Sequence, residues 1–155
     1  MIRTSIAVAI IYQDGNYLMQ LRDDVPHIMH PGVWGFFGGH LEPGEDPETG
    51  LKRELLEEIN YQPEQVTLFR GDRLEQYCRY LYHCPLTVPI TELELREGWD
   101  FKLLTPAEIR QGYAYSAQAA ANKALGAIHH EIMLDFMAAQ VTSQRDPAVK
   151  RRGFL

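Results

Sequence analysis

Between Glu42 and Glu58 the chain carries seven acids (Glu42, Glu45, Asp46, Glu48, Glu54, Glu57, Glu58) against two bases, Lys52 and Arg53. That is −5 in seventeen residues, while the whole 155-residue chain carries −6. An acid-rich run is ordinarily a solvated helix face, but the spacing here points elsewhere. At about 100° per residue, Glu54, Glu57 and Glu58 project at about 0°, 300° and 40°, inside one arc of about 100°. Like charges at i,i+3 and i,i+4 cost a helix about 0.2–0.5 kcal/mol per pair. Leu55, Leu56 and Ile59 form the opposing apolar stripe that would anchor such a helix. Gly50 falls on the acidic arc one turn earlier, where a missing side chain leaves room for something to approach. Crowded carboxylates on an anchored helix suit a hard divalent cation, which takes oxygen ligands and cancels their repulsion.

The pattern extends upstream of the helix. Gly39, five residues, Glu45, seven residues, then Arg53-Glu54-Leu55-Leu56-Glu57-Glu58 resembles the Nudix box of the Nudix hydrolase family. Gly39, Glu45, Arg53, Glu54, Glu57 and Glu58 match it by type and spacing, a specific signal compared with a lone glycine motif. One departure is Asn60 in place of the closing glycine, followed by Tyr61 in place of an aliphatic residue. Asparagine tolerates the left-handed conformation that ends a helix, so the change is conservative.

The resemblance implies an α+β fold, a Nudix-type α/β/α sandwich with a mixed, partly antiparallel sheet. It also implies hydrolysis of a diphosphate linkage in a nucleoside diphosphate joined to a moiety X, with magnesium as cofactor and manganese as substitute. Carried onto this sequence, Glu57 and Glu58 are the first metal ligands, and Glu54 is a third ligand or the base that deprotonates the water. The Gly38 carbonyl joins the metal shell, and Arg53 pairs with Glu45 and the helix carboxylates. A further acid comes from a later strand or loop, with Asp100 the best aligned and Glu97 next.

The surrounding elements follow from pattern. Residues 5–12 are β-branched-rich and read as a strand. Asp14-Gly15 is a tight hairpin signal, and residues 17–22 return. Residues 23–33, with two prolines and a glycine, read as a loop, and residues 34–37 as a short strand ending at Gly38-Gly39. Asp46 caps a helix with Pro47 at its first position, running to about Ile59. Residues 66–86 read as one or two strands and 92–104 as another strand pair or as a strand and turn. Thr105 to Glu108 has capping-box spacing. Residues 116–140, rich in alanine, read as one long helix. The expected organisation is one domain over residues 1–141 and a polar, basic, flexible tail over 142–155.

Other candidates are weighed against ordinary structural roles. Trp34 and Phe36 share one face of their strand, with Phe37 opposite; they offer a stacking surface for a base or sugar, or simply core. Arg22, ending the second strand, could reach a substrate phosphate, and Arg73 and Arg79 are weaker candidates. His129-His130-Glu131 could suggest a second metal site, but adjacent histidines on a helix point about 100° apart, so the segment reads as a solvated helix face. Cys78 and Cys84 sit six residues apart on one strand, about 20 Å, too far to pair. Lys150-Arg151-Arg152 reads as a solvated tail.

Net charge argues against a general polyanion binder, so no DNA partner is expected. No run approaches twenty apolar residues, so no membrane span is expected. The expectation is a cytoplasmic enzyme, monomer or homodimer, acting on a nucleotide-type small molecule. The leading substrate is a nucleoside triphosphate, oxidised or not, or a nucleotide sugar. The alternatives are an ADP-ribose or other sugar-nucleotide pyrophosphatase, and a non-catalytic nucleotide-sensing domain.

Overall fold

A computed structural model describes residues 4–145, with side-chain environments described through residue 141. The chain runs β1 (Thr4–Gln13), β2 (Asn16–Leu21), β3 (Trp34–Gly35), β4 (Phe37–His40), α1 (Pro47–Ile59), β5 (Thr67–Arg73) and β6 (Tyr77–Pro85). It continues through a 3₁₀ turn at Ile90–Glu92 to β7 (Asp100–Leu104), α2 (Pro106–Gln111), β8 (Tyr113–Ser116), β9 (Ala121–Ala124) and α3 (Ala127–Arg145).

The Asp14-Gly15 turn has positive φ at both residues, +52° and +80°. This is the backbone that keeps a two-residue hairpin in step with strand twist, and it sets β1 and β2 antiparallel. β1 also pairs parallel with β6 from Thr4 to Tyr12 and antiparallel with β4. The main sheet is therefore mixed, in the order β3-β2-β1-β6-β5, with β4 beside β1 and β7 beside β2.

Alternation along the strands feeds two cores, one on each face. Ala7, Ala9 and Ile11 pack with Leu51, Leu55 and Ile59 of α1. Val8, Ile10 and Leu81 pack with Ile132, Met133 and Phe136 of α3 and Ile109 of α2. Helices thus cover both faces, giving the expected α/β/α layering. Leu51, Leu55 and Ile59 are fully buried, each worth about 1.5–3 kcal/mol, and they lock α1 against the sheet.

Three expectations are corrected. The strand read over 34–37 is two strands: Trp34–Gly35 pairs with β2, whereas Phe37–His40 pairs with β1. The helix read over 116–140 begins only at Ala127. Before it, Tyr113, Ala114, Tyr115 and Ser116 alternate out and in as a strand, and Ala120 turns the β8–β9 hairpin with φ +54°. Alanine's helix propensity is a weak prior that tertiary packing overrides. Finally, α3 continues to Arg145, past the start assigned to the tail. Lys150, Arg151 and Arg152 lie outside the described residues.

Candidate active site

α1 starts and stops where its end residues dictate. Asp46 accepts from the Thr49 backbone N–H, Pro47 occupies the first turn, and Asn60 ends the helix at φ 55°, ψ 39°. The left-handed Asn60 returns its N–H to the last carbonyls, the role the family's glycine would fill.

On this fixed helix Arg53 is the hub. Its Nε and Nη2 each donate to Glu45 at 2.9 Å, one to each carboxylate oxygen. Nη1 reaches Glu54 at 3.2 Å and Glu57 at 3.4 Å, and Nη2 also donates to the His40 carbonyl. The paired hydrogen bonds from Arg53 hold the Glu45 carboxyl down at about 2, and the bonds to Glu45 raise Arg53 in turn. The gap left at Gly50 is filled from within the protein: a side chain there would strike Leu41 Cδ2 and come within 2.8 Å of Glu45 Oε1.

Glu58 points the other way, into the sheet, and is only 3% exposed. It accepts the Gly38 N–H at 2.8 Å, with the Gln20 amide at 3.5 Å. Burial pushes its carboxyl up to about 8, the charges of Glu97 and Glu54 adding to that against the Gly38 N–H. Glu54 is also raised, first by burial, with Glu57 and Glu97 adding and Arg53 opposing. Gly38 holds φ +137°, and a side chain there would collide with the Ala7 carbonyl. At Gly39 a Cβ would lie 2.8 Å from the Glu54 carboxylate. The two glycines let β4 pass directly beneath these acids.

The acids fit a hard cation in type: oxygen donors, like-charged, two of them reluctant to ionise without a counter-charge. Among the described residues, no group of three His, Cys, Asp or Glu side chains is arranged to hold one ion as it stands. Glu58 is turned to Gly38, Glu54 to Arg53, and Glu57 is 60% exposed.

The model of the NUDIX domain matches residues 1–125. The chain belongs to the Nudix family. A nucleoside triphosphatase, NudI of Escherichia coli, is 41% identical over 59 residues, 37% of this chain and 40% of that relative. The chain thus matches well under half the length of that curated relative. Among solved structures, the E. coli ORF135 protein superposes with a TM-score of 0.67 at 23% identity, covering 94% of this chain and 96% of that one. The MutT protein of Methanosarcina mazei Go1 gives 0.65 at 16%, covering 89% and 95%. The NUDIX domain of Shewanella oneidensis NrtR, a complex with ADP ribose, gives 0.63 at 18%, covering 90% and 88%. At these identities the structural likenesses show the Nudix fold.

Within this Nudix fold the other candidates separate. Asp100 is occupied elsewhere, accepting the Ser116 hydroxyl at 2.6 Å and its neighbour Phe101 N–H at 2.8 Å. Glu97 is the acid whose charge bears on both Glu58 and Glu54; with Gln20, Arg22 and Gly98 it lines a cleft of about 60 Å³. Arg22 reaches that cleft while its Nε donates to the Met29 carbonyl at 2.7 Å. A larger hollow of about 290 Å³ borders Glu45, Leu41 and Tyr80 but none of the three helix carboxylates.

Trp34 and Phe36, read as a stacking surface or core, are core: they are 0% and 4% exposed, and Trp34 Nε1 donates to the Ala114 carbonyl. Phe37 is buried in the opposite core, as the strand alternation required. Arg79 is buried against Asp72 at 2.7 Å, while Arg73 lies exposed on the edge strand. Cys78 and Cys84 are both free thiols on β6. His129 and His130 do not form a solvated face: both His129 nitrogens and His130 Nε2 are shut off from solvent. Sequence reasoning missed this burial because the burying partners, His30 and Gly112, are far away in the chain. No helix among the described residues is long and apolar enough to cross a membrane.

Proposed function

We propose that this Nudix protein is a magnesium-dependent pyrophosphohydrolase that cleaves a nucleoside triphosphate to the monophosphate and pyrophosphate. The observation that carries the reading is the intact set of helix carboxylates, of which Glu54 and Glu57 are braced together with Glu45 by Arg53. A domain that only senses nucleotides has no need of two neighbouring helix acids, Glu54 and Glu57, held together with Glu45 by one guanidinium. The similarity to NudI supports the triphosphate over a nucleotide sugar.

The proposed ligands are Glu57, Glu58 and Glu54, with the Gly38 carbonyl beside them and Glu97 in place of Asp100 as the further acid. A divalent ion held there would neutralise the diphosphate and lower the pKa of a bound water. The chain's own residues do the rest. Arg53 and Glu45 hold the carboxylate rotamers, as groups behind metal ligands commonly do. Glu54, lying over Gly39 and braced by Arg53, is either the third ligand or the proton acceptor for the attacking water. Arg22 meets a substrate phosphate at the mouth of the cleft.

Incubation with magnesium and a panel of nucleoside triphosphates, oxidised triphosphates, ADP-ribose, nucleotide sugars and dinucleoside polyphosphates tests this. Release of pyrophosphate and a nucleoside monophosphate is the expected result. Cleavage of ADP-ribose alone would move the substrate assignment. Binding without hydrolysis across the panel would leave the sensing reading in its place.

A further inference from the structure

Along β2 the side chains alternate between the two cores, Leu18 on the α1 side and Met19 on the α3 side. Gln20 returns to the α1 side, where the alternation calls for another apolar residue. It is an amide instead, only 2% exposed, and it stands against Glu58, itself 3% exposed. Burying an amide is unfavourable unless its polar ends are met, so what this one meets is informative.

Gln20 Nε2 donates to the Phe36 carbonyl at 2.9 Å and reaches Glu58 Oε2 at 3.5 Å. Phe36 is the residue between β3 and β4, where the chain leaves β2 to pair with β1. Two residues on, the Gly38 N–H meets the other oxygen of Glu58 at 2.8 Å. One carboxylate oxygen is therefore held closely by backbone. The other is held at longer range by an amide that is itself fixed. A carboxylate oxygen has two lone pairs, so Oε2 keeps the capacity to accept a second partner.

The far end of the amide faces the other acid. Gly98 holds φ +107°, and a side chain there would lie 3.0 Å from Gln20 Oε1. The Trp99 N–H donates to the Leu21 carbonyl at 2.9 Å and pins this bend to β2. Gln20 thus lies between Glu58 and the bend that carries Glu97, and with Glu97 and Gly98 it lines the cleft of about 60 Å³.

We infer that Gln20 is a positioning residue that holds Glu58 Oε2 toward the cleft beside Glu97, so that acids from two separate elements face one divalent ion. This rests on the reading of Glu58 and Glu97 as metal ligands. Anchored on the Phe36 carbonyl, the amide keeps the carboxylate oriented in advance, and no rotation is needed when a cation binds.

The test uses Gln20→Met, which keeps the length of the side chain and removes both polar ends. Manganese binding is followed without nucleotide, through loss of the free-ion electron paramagnetic resonance signal. It should weaken by about 10- to 100-fold, the scale on which groups behind metal ligands act. The melting temperature in chelator is measured alongside. A role confined to joining β3 and β4 would lower it and leave the manganese affinity of the folded protein unchanged. A second measurement does not depend on the variant: side-chain amide NMR of the wild type as magnesium is added. The Gln20 amide should shift. That of Gln13, which donates to the Leu86 and Val88 carbonyls at the hairpin end of β1, should not. Manganese affinity within about threefold of wild type in a folded variant overturns the inference while the metal reading stands, as does a Gln20 amide unmoved at saturating magnesium. Should the variant not fold, the amide shift decides in the same way. If the wild type binds neither ion, the metal reading fails and the role of Gln20 falls with it.

Discussion

Arg53 grips both carboxylate oxygens of Glu45 at 2.9 Å, tying the loop before α1 to the middle of the helix. The same guanidinium extends to Glu54 and Glu57. One residue thus fixes an acid outside the helix and two acids on it.

If that bracing positions the site, Arg53→Gln should lower activity or magnesium affinity by about 10- to 100-fold, as losses behind metal ligands do. Partial recovery is expected at higher magnesium, because a loosened site still fills by mass action. Glu48→Gln is the control, since Glu48 faces Lys52 at 3.5 Å on the exposed side, and such pairs are worth about 0–1 kcal/mol. Indistinguishable kinetics for the two variants would reduce the Arg53 network to ordinary surface pairing.

Glu57→Gln keeps the side chain's size and removes one charge. Turnover should fall by about two to four orders of magnitude, the scale of losing a key electrostatic or proton-transfer group. The fold should persist, because Glu57 is exposed and its loss relieves repulsion. Circular dichroism checks the fold, and a rate within tenfold of wild type would remove Glu57 from the ligand set.

Chelation should abolish turnover, with recovery in magnesium or manganese and little in calcium. Calcium is larger and accepts looser, higher coordination, so it misplaces water and phosphate. Undiminished hydrolysis in excess chelator would end the metal-dependent mechanism.

Glu58 gives the metal-free protein a pH-dependent stability. Its folded carboxyl holds a proton up to about 8, whereas the unfolded one releases it near the ordinary carboxylate value. Between those values the folded state binds the extra proton, so this contribution is complete at low pH and lost as pH rises through about 8. His129, drawn down to about 3, acts oppositely, but only below its ordinary value of about 6.5. The clean window is therefore pH 6.5 to 8. In chelator, the wild-type melting temperature should fall across it and that of Glu58→Gln should stay level. A wild-type curve that is flat or rising there would show that Glu58 ionises as an ordinary surface acid.

Local chemistry made much of this protein legible in advance. Asp46, Pro47 and Asn60 bound α1 through interactions within a few residues, and the apolar stripe with its opposing acids is a property of helical periodicity alone. The hairpin at Asp14-Gly15 is equally local. Where the reading failed, distant partners decided. Alanine-rich residues 116–124 became a hairpin because Ala114 and Ser116 are buried on alternate positions and Ser116 bonds to Asp100, sixteen residues away. That bond also engages one carboxylate oxygen of Asp100. The unlike settings of three acids on one helix arc were likewise unreadable in sequence. Glu58 is buried beneath Gly38 and Gln20, Glu54 lies over Gly39, and Glu57 stays in solvent. Spacing sets the direction in which a side chain leaves its helix; what it meets there depends on the strand that packs against it.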